Sequence, residues 1–334
     1  MSYRIALIAG DGIGPEVTAA AQRVVDAAGV DVVWKTVPAG VSCYEATGDP
    51  LPETTLAAVR DADATLKGPL ATAKGTGFRS VNVALRQRLQ LYANFRPARS
   101  IPGIRSRYDD VDLIVIRENT EGLYSGLEHT VVPGVVESLR VITQQASERI
   151  ARFAFATARR QNRKRVTCIH KANILKLSDG LFLETCQSVA KEFDEIAFDD
   201  CIVDAAAMKL VIDPQQFDVL VMENLFGDIL SDLTSGLVGG LGVTPSANVG
   251  DGVAVFEAVH GTAPDIAGKG LANPTAVILS AVLMLRYLSE SAAADRIEQA
   301  VRTVIAQGKT LTGDLGGDAS TDAYVDALIG ALGG

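Results

Sequence analysis

Hydrophobic and polar positions along the chain alternate between strand-like and helix-like periods. Residues 4–9 form an alternating apolar run, and apolar residues then recur at helical spacing at Val17, Ala20, Ala21, Val24 and Val25. Residues 112–116 are almost wholly apolar, which is typical of a strand buried on both faces. The same reasoning predicts strands at 31–37, 64–67, 166–169, 202–204 and 219–222, and helices at 52–61, 146–162, 179–193 and 275–288. This alternation predicts an α/β fold with a largely parallel sheet.

Three stretches fall outside this succession of strands and helices. Residues 131–142 alternate around Pro133 and Gly134, which predicts an extended hairpin or arm. Residues 99–108 and 245–252 are rich in helix and strand breakers. Since 334 residues favour two domains over one, these two stretches are the expected crossings between domains.

A glycine turn follows the first strand and precedes the first helix. Its glycines are Gly10, Gly12 and Gly14, and this spacing differs from the G-x-G-x-x-G of dinucleotide-binding Rossmann domains. No acidic residue at the end of a clear second strand supports such a site either. We therefore predict a βα unit that is not a classical Rossmann site.

Composition narrows the classes of partner. The chain has 48% hydrophobic and 21% charged residues, which is ordinary for a globular protein. A net charge of −9 argues against nucleic acid or an anionic membrane as partner. The first residues show no secretory pattern, and four scattered cysteines predict buried, reduced thiols. We expect a cytoplasmic protein with no nucleic-acid or membrane partner.

Arginines are concentrated between residues 67 and 97. If a helix begins near Ser80, this residue lies at its N-cap, and Arg86 lies one turn beyond Asn82 on the same face. Helix N-termini favour anions, and guanidinium groups bind carboxylates through two hydrogen bonds. The stretch is either a site for a small polyanion or an exposed helix with solvated arginines. The arginines concerned are Arg79, Arg86, Arg88 and Arg96.

Candidate metal ligands lie further along the chain. Asp228 and Asp232 are four residues apart on a predicted helix, so their carboxylates point the same way, and Asp204 ends another predicted strand. Oxygen ligands suit Mg²⁺ or Mn²⁺. The alternative is a pair of solvated acids on a helix face.

Two further residues could move protons. Lys171 and Tyr124 each follow a strand-like run, and a lysine beside a metal could serve as a base and a tyrosine as an acid. Taken alone, each is better explained as an ordinary surface lysine or a half-buried tyrosine. The turn from His260 to Asp265 could hold a nucleotide, and it could also be a simple capped loop.

Long motifs along the chain resemble the β-decarboxylating hydroxyacid dehydrogenases, the family of isocitrate, isopropylmalate and homoisocitrate dehydrogenases. These motifs are GDGIGPE, GFRSVNVALRQRLQLYANFRP, IRENTEGLYSG, HKANILK, NLFGDILSDL and FEAVHGTAPDIAGKGLANP. The resemblance implies an isopropylmalate dehydrogenase-like two-domain α/β fold with a large mixed, mostly parallel sheet. It places a cofactor-binding domain at residues 1–99 plus 252–334, and a central domain with the dimer arm at 100–251.

The resemblance also implies roles for individual residues. Arg86, Arg96 and Arg117 would hold the carboxylates of a substituted malate. Asp228 and Asp232 would bind Mg²⁺ or Mn²⁺, joined by Asp204 of the other subunit. Two more residues carry proton transfers in this scheme. Lys171, also from the partner, would be the base, and Tyr124 would protonate the enol after decarboxylation. The expected assembly is a homodimer with shared active sites.

Substrate choice is expected at the start of the helix near residue 80. Ser80 and Asn82 resemble the serine and asparagine of isocitrate enzymes, where both bind the third carboxylate. Homoisocitrate enzymes tend to carry arginine in place of Val83, and isopropylmalate enzymes carry an acid and apolar residues in this region. We therefore expect NAD-dependent oxidative decarboxylation of isocitrate to 2-oxoglutarate and CO₂, a tricarboxylic acid cycle reaction. Homoisocitrate or isopropylmalate dehydrogenase is the alternative, and a non-catalytic regulatory subunit of a hetero-oligomeric isocitrate dehydrogenase is the less favoured one.

The cofactor expected from the resemblance is NAD. Enzymes that use NADP carry basic and tyrosine residues around the 2′-phosphate, whereas this chain has Asp265 and Ile266 at the matching positions. An aspartate accepts hydrogen bonds from ribose hydroxyls and repels a phosphate. The residues predicted to bind the cofactor are Ile13, Thr72, His260, Gly261, Thr262, Ala263, Asp265, Ile266 and Asn273.

Overall fold

A computed structural model describes residues 2–71 and 80–333. Its strands are β1 (Tyr3–Ile8), β2 (Val32–Thr36), β3 (Ala64–Lys67), β4 (Ala93–Arg99), β5 (Asp112–Glu118), β6 (Gly122–Val132), β7 (Val135–Val141), β8 (Arg165–His170), β9 (Ala197–Ile202), β10 (Val219–Met222), β11 (Pro245–Val249) and β12 (Ala254–Ala258). Its α-helices are α1 (Gly14–Ala27), α2 (Val41–Thr47), α3 (Glu53–Asp61), α4 (Val81–Arg88), α5 (Gln144–Arg160), α6 (Ser178–Ala190), α7 (Val203–Ile212), α8 (Asn224–Leu237), α9 (Thr275–Tyr287), α10 (Ser291–Gln307) and α11 (Thr321–Leu332). The predicted α/β class with a mostly parallel sheet is confirmed.

The chain divides into two compact units. The first comprises Met1–Leu89, Ser100–Asp109 and Val238–Gly334, and the second comprises Gln90–Arg99 and Asp110–Leu237. The residue groups therefore differ from the boundaries predicted at 99/100 and 251/252. Strand β4 explains one difference, because it pairs antiparallel with β5 along its whole length and so belongs with the second unit.

In the first unit the strands lie in the order β2-β1-β3-β12-β11. Neighbours are parallel except β11 and β12, which pair antiparallel. Residues 245–249 were predicted only as a breaker-rich crossing, and instead they form strand β11. Helix α9 packs on β12, and ten of its thirteen side chains are buried. A helix apolar on all sides is expected at the centre of a core, which is the position of α9.

In the second unit the order is β4-β5-β10-β8-β9, and only the β4 and β5 pair is antiparallel. Strand β5 is buried from Leu113 to Glu118, as its apolar run predicted. Helix α5 buries one face against β5 and β10. Because β5, β10, β8 and β9 are parallel, their carboxyl ends reach the same edge of the sheet, where α/β proteins place their ligands.

Strands β6 and β7 form a separate antiparallel hairpin around Gly134, whose φ is +85°. This is the arm predicted at residues 131–142. Its apolar side chains are unusually exposed for their size, with Val136 at 64% and Val132 at 52%. Such a surface is typical of a protein interface. Within residues 2–71 and 80–333, no helix combines the length and the hydropathy needed to cross a bilayer.

The glycine turn after β1 is held by close backbone packing in the first unit. Gly12 has φ +59°, and a Cβ placed on it would lie 2.1 Å from the carbonyl oxygen of Thr262. The amide of Ile13 donates to that same oxygen at 2.9 Å. The glycines of GDGIGPE therefore allow this turn to pack against the backbone of Thr262. This packing accounts for a glycine spacing that differs from that of a Rossmann site.

We expect Gly12→Ala to destabilise the protein clearly more than Gly29→Ala. Both glycines have positive φ, where alanine costs about 1–2 kcal/mol, but a Cβ on Gly29 would meet no atom within 4 Å. The additional loss at Gly12 therefore measures the clash with Thr262. Urea unfolding of both variants at pH 7 gives the two free energies, and equal losses would contradict the packing described for the turn.

Candidate active site

The second unit places a charged cluster where β5 and β10 end. Arg117, on β5, is 1% exposed and forms an ion pair with Asp228 on α8. Its Nε and Nη2 donate to Asn224 Oδ1 at 3.0 and 2.7 Å, and its guanidinium lies 5.0 Å from the ring centroid of Tyr124. Tyr124 donates its hydroxyl hydrogen to the other oxygen of Asp228. One carboxylate is thus shared by an arginine and a tyrosine.

Protonation in this cluster is set by burial and by the arginines. Burial raises the pKa of Tyr124, and the hydrogen bond to Asp228 raises it further, so the phenol is protonated at neutral pH. Burial acts to raise the pKa of Asp228 too, but Arg117, the Tyr124 hydrogen bond and Arg96 outweigh it, and the net shift is downward. Asp228 is therefore a carboxylate, and Tyr124 is a proton donor next to it.

Arg96 forms a second ion pair one helical turn further along α8. It is buried on β4, and its Nη1 donates to Ser231 Oγ at 2.6 Å and to Asp232 Oδ1 at 3.1 Å. Asp232 itself is 55% exposed, and its pKa is raised by partial burial and by the negative charge of Asp228, despite Arg96. The four-residue spacing does place Asp228 and Asp232 on the same helix face, each beside a buried guanidinium.

Lys171 and Asp204 form a third pair in this unit. Lys171 directly follows β8, Asp204 lies in the first turn of α7 after β9, and the two form an ion pair. The hydrogen bond from Lys171 lowers the pKa of Asp204. The backbone amide of Lys171 donates to Asp179 Oδ2 at 2.5 Å, so a second carboxylate fixes the main chain at this residue.

The aspartates offer a donor set that suits a hard divalent cation. They carry only oxygen donors, and Asp228, Asp232 and Asp204 remain 38%, 55% and 68% exposed. In the part of the chain that the structure describes, no group of three His, Cys, Asp or Glu side chains is close enough to hold a metal ion. A cation bound by Asp228 and Asp232 would therefore need at least one further ligand from substrate, water or another chain.

The first unit places Arg86 in a buried ionic network. Arg86 lies on α4 with its Nη2 3.2 Å from Glu257 Oε1, and Lys67 Nζ lies 2.5 Å from Glu257 Oε2. Asn248 also donates to Glu257 at 2.6 Å. Burial alone would raise the pKa of Glu257, but Lys67 and Arg86 hold it well below its usual range. One anion thus orients two cations.

Unsatisfied polar atoms lie on helix α4. Ser80 is at the N-cap position, as predicted, although its side chain makes no capping hydrogen bond. Asn82 Oδ1 and Arg86 Nε are buried, and neither has a hydrogen-bond partner among the described residues. Buried polar atoms without partners are uncommon in native proteins and often indicate a site for a ligand. The open Arg86 Nε is a donor, so it favours the interpretation of this stretch as an anion site over that of solvated arginines, whereas Asn82 Oδ1 can only accept.

Arg88 matches the alternative interpretation, an arginine on the exposed face of the helix. Its guanidinium pairs with Glu53 on the surface, where both side chains are about half exposed. Arg79 and Thr72, the latter predicted to contact the cofactor, lie outside the described residues.

The predicted cofactor loop in the first unit is well defined around His260. The His260 Nδ1 lies 3.0 Å from the carbonyl oxygen of Gly261, which can only accept, so Nδ1 carries the hydrogen. Burial lowers the pKa of His260, and its Nε2 is buried with no partner among the described residues. A neutral ring with an open acceptor therefore faces this loop.

The rest of this loop is fixed by hydrogen bonds. The amide of Ile266 donates to the carbonyl oxygen of Ala263 at 3.2 Å, and Ala263 has φ +37°. Asp265 is exposed and Asn273 is buried. The Asn273 Nδ2 donates to Asp314 Oδ2 at 2.8 Å, and its Oδ1 accepts from Thr275. Both ends of the Asn273 amide are thus already in use.

The structure therefore places the described site residues in two groups, one in each unit. The first unit holds Ile13, Ser80, Asn82, Arg86, His260, Gly261, Thr262, Ala263, Asp265, Ile266 and Asn273, and the second holds Arg96, Arg117, Tyr124, Lys171, Asp204, Asp228 and Asp232. Sequence reasoning missed Lys67, Glu257, Asn224 and Ser231. A signal was available for the first two, since each is a charged residue at the end of a short apolar run.

Comparison with known proteins agrees with this geometry. The family model described as isocitrate/isopropylmalate dehydrogenase matches residues 4–328. The chain belongs to this family of oxidoreductases.

Individual relatives refine the comparison. The chain is 55% identical to "Isocitrate dehydrogenase [NAD] catalytic subunit 5, mitochondrial" of Arabidopsis thaliana, over 93% of this chain and 83% of that protein. It is 53% identical to the chloroplastic 3-isopropylmalate dehydrogenase of Solanum tuberosum, over 92% and 86% of the two chains. The crystal structure of isocitrate dehydrogenase from Methylococcus capsulatus superimposes with a TM-score of 0.96 at 53% identity, covering 99% of each chain. Overall identity therefore does not separate the two substrates.

We expect Glu257→Gln to lower the free energy of unfolding at pH 7 by about 3–5 kcal/mol, because it leaves two buried cations without their anion. The folded-state pKa of Glu257 is depressed, so its stabilisation is complete above the unfolded-state value of about 4.3 and declines as the pH falls. The gap between wild type and variant should accordingly narrow below about pH 4.5.

Urea unfolding of both proteins at pH 7, 5 and 4 measures this gap. Glu53→Gln is the matched control, since Glu53 also pairs with two arginines but is 60% exposed. The control should change stability little at any pH. A gap at Glu257 that stays constant with pH would show that its charge is not what stabilises the network.

Proposed function

We propose that this protein catalyses the NAD-dependent oxidative decarboxylation of isocitrate to 2-oxoglutarate and CO₂. The observation that carries the proposal is the cluster of Arg96, Arg117, Tyr124, Asp228 and Asp232. It combines buried guanidinium groups, which bind carboxylates, with exposed carboxylates, which bind a divalent cation. A hydroxyacid chelated to a metal presents both kinds of partner at once.

Different side chains bind the substrate, hold the metal and transfer protons in the proposed reaction. Arg96 and Arg117, with Arg86, bind substrate carboxylates, and their burial strengthens these charge-assisted bonds. Asp228 and Asp232 hold Mg²⁺ or Mn²⁺, which when bound stabilises negative charge on the substrate oxygens. Lys171 accepts the proton of the substrate hydroxyl, and NAD held at the loop that follows His260 would take the hydride from the carbon that bears this hydroxyl. The resulting β-keto acid loses CO₂, and Tyr124 donates the proton that converts the enol to product.

Tyr124 suits the acid role because its phenol is protonated and its hydroxyl is oriented by Asp228. Lys171 pairs with Asp204 within the chain, and in the proposed dimer both residues complete the partner's site. The exposed apolar side chains of the β6–β7 arm support an assembly of at least two chains.

Isocitrate is preferred over its relatives because of the first turn of α4. The first turn contains no acidic residue that would repel a third carboxylate. Ser80 and Asn82 provide hydroxyl and amide donors. Homoisocitrate is the alternative substrate, since one additional methylene changes the binding free energy by only about 1–3 kcal/mol. Isopropylmalate would leave these polar side chains facing an alkyl group.

Steady-state assays of the purified chain with NAD and Mg²⁺ test the substrate. We expect kcat/KM for isocitrate to exceed that for homoisocitrate by about 10-fold or more, and that for isopropylmalate by a larger factor. A higher kcat/KM on homoisocitrate would change the substrate assignment. An inactive homomer that gains activity only when mixed with a second type of chain would instead favour a regulatory or hetero-oligomeric subunit, a possibility raised by the word "subunit" in the Arabidopsis relative's name.

NAD is proposed as cofactor because of the loop that follows His260. Asp265 is exposed there, and Ile266 provides no positive charge to meet a 2′-phosphate. The Asp314 carboxylate, bound to Asn273, adds a further negative charge to the same unit. The cytoplasmic location stays a prediction from the sequence, and the Arabidopsis relative is named as mitochondrial.

We expect the double variant Asp265→Lys with Ile266→Tyr to shift the ratio of kcat/KM for NADP to that for NAD upward by about 10-fold or more, because a repulsive charge becomes attractive. Parallel assays with both cofactors at saturating isocitrate measure the ratio. Asp251→Lys, an exposed change of the same charge in the β11–β12 turn, is the control. An unchanged ratio in the double variant would mean that another loop selects the cofactor.

A further inference from the structure

Arg140 links two catalytic elements of the second unit, although no step proposed above uses it. It lies near the end of β7, and its side chain is 13% exposed. Its Nη1 lies 2.7 Å from Asp179 Oδ1, its Nη2 lies 3.5 Å from Glu223 Oε1, and its guanidinium lies 5.1 Å from the ring centroid of Phe226. Three chain segments distant in sequence therefore meet at one cation through ion pairs, while none of the three guanidinium nitrogens makes a hydrogen bond among the described residues.

Asp179 connects this cation to the proposed base. It is 2% exposed in the first turn of α6, and its Oδ2 accepts the backbone hydrogen of Lys171 at 2.5 Å. The residue immediately before Lys171 is fixed as well, since His170 Nε2 lies 2.9 Å from Asp200 Oδ2 and His170 Nδ1 accepts from the amide of Ala172 at 3.0 Å. The main chain at Lys171 is thus held by side chains on both sides.

Glu223 connects the same cation to the proposed metal helix. It directly precedes α8, is 3% exposed, and accepts from the amides of Phe226 at 2.9 Å and Leu225 at 3.2 Å. These are amides of the first helical turn, which need an acceptor from outside the helix. Asp228 follows them by less than one turn, so the position of its carboxylate depends on this turn.

We propose that Arg140 is a positioning residue that holds the Lys171 backbone and the first turn of α8 in fixed places through Asp179 and Glu223. The inference rests on the proposed function, in which Lys171 is the base and Asp228 a metal ligand. Two carboxylates this deeply buried need a compensating cation. Burial raises the pKa of Glu223 even with Arg140 present, which agrees with a site where negative charge is costly.

The test compares Arg140→Gln with Arg163→Gln. Arg163 is a close match, because its side chain is 11% exposed in the same unit and it pairs with the two carboxylates of Asp112 and Asp218. Those partners lie at the start of β5 and directly before β10, and among the described residues their side chains pair with Arg99, Arg163, Lys164 and Arg165. Arg163→Gln reports the effect of losing a buried arginine whose partner carboxylates are 53% and 23% exposed, against 2% and 3% for those of Arg140.

We expect Arg140→Gln to lower kcat by about 10- to 100-fold while KM for isocitrate changes by less than about 3-fold, because displaced catalytic groups slow the chemical step more than they weaken binding. Arg140→Lys should recover part of kcat, since an ammonium can neutralise one carboxylate but cannot span both. If Arg140→Gln does not fold, Arg140→Lys and Glu223→Gln carry the same comparison with smaller effects.

Hydrogen exchange supplies a readout that does not depend on turnover. Peptides containing the amides of Lys171, Leu225 and Phe226 should exchange faster in Arg140→Gln than in the wild type. Their exchange rates in Arg163→Gln should equal those of the wild type. An equal loss of kcat in both variants, or faster exchange with normal kcat, would overturn the positioning role. A wild-type protein without dehydrogenase activity but with the expected exchange pattern would refute the proposed function and leave the structural link intact.

Discussion

The structure depends on the neutralisation of buried charge at the ends of its strands. Arg117 and Lys67 are each 1% exposed, and isolated charges so deeply buried would be strongly unfavourable. Each is instead paired with a carboxylate from a neighbouring element, Asp228 for Arg117 and Glu257 for Lys67. These pairs keep charged side chains fixed near the carboxyl ends of β3 and β5.

The same principle operates in both units but with opposite sign. In the first unit one carboxylate, Glu257, orients two cations, Lys67 and Arg86. In the second unit one cation, Arg140, forms ion pairs with two carboxylates, Asp179 and Glu223. Neither central residue is assigned to the chemical step. In the proposed mechanism Glu257 pairs with the substrate-binding Arg86, and Arg140 positions the elements that carry Lys171 and Asp228; pre-oriented groups are the main source of electrostatic catalysis.

Much of the fold could be predicted from sequence because it follows from local patterns. The apolar run at 112–116, the strongly apolar helix α9 and the hairpin at Gly134 each have a distinctive period or turn residue, and all three were predicted. The boundaries of the two units were harder to predict from the sequence. Strand β4 joins the second unit through its pairing with β5, and residues 245–249 form a strand despite their breakers, because pairing with β12 outweighs local propensity.

The sequence by itself determined the α/β class, the family, and the identity of the charged residues in the motifs, since these depend on residue type and spacing. The tertiary structure decided which of these residues are paired. Arg86 and Arg88 are two positions apart on one short helix, yet Arg86 joins a buried network and Arg88 pairs with Glu53 on the surface. Likewise Arg140 meets Asp179 and Glu223 only after folding. Burial and contact between distant segments are properties of the packed chain, and no local pattern records them.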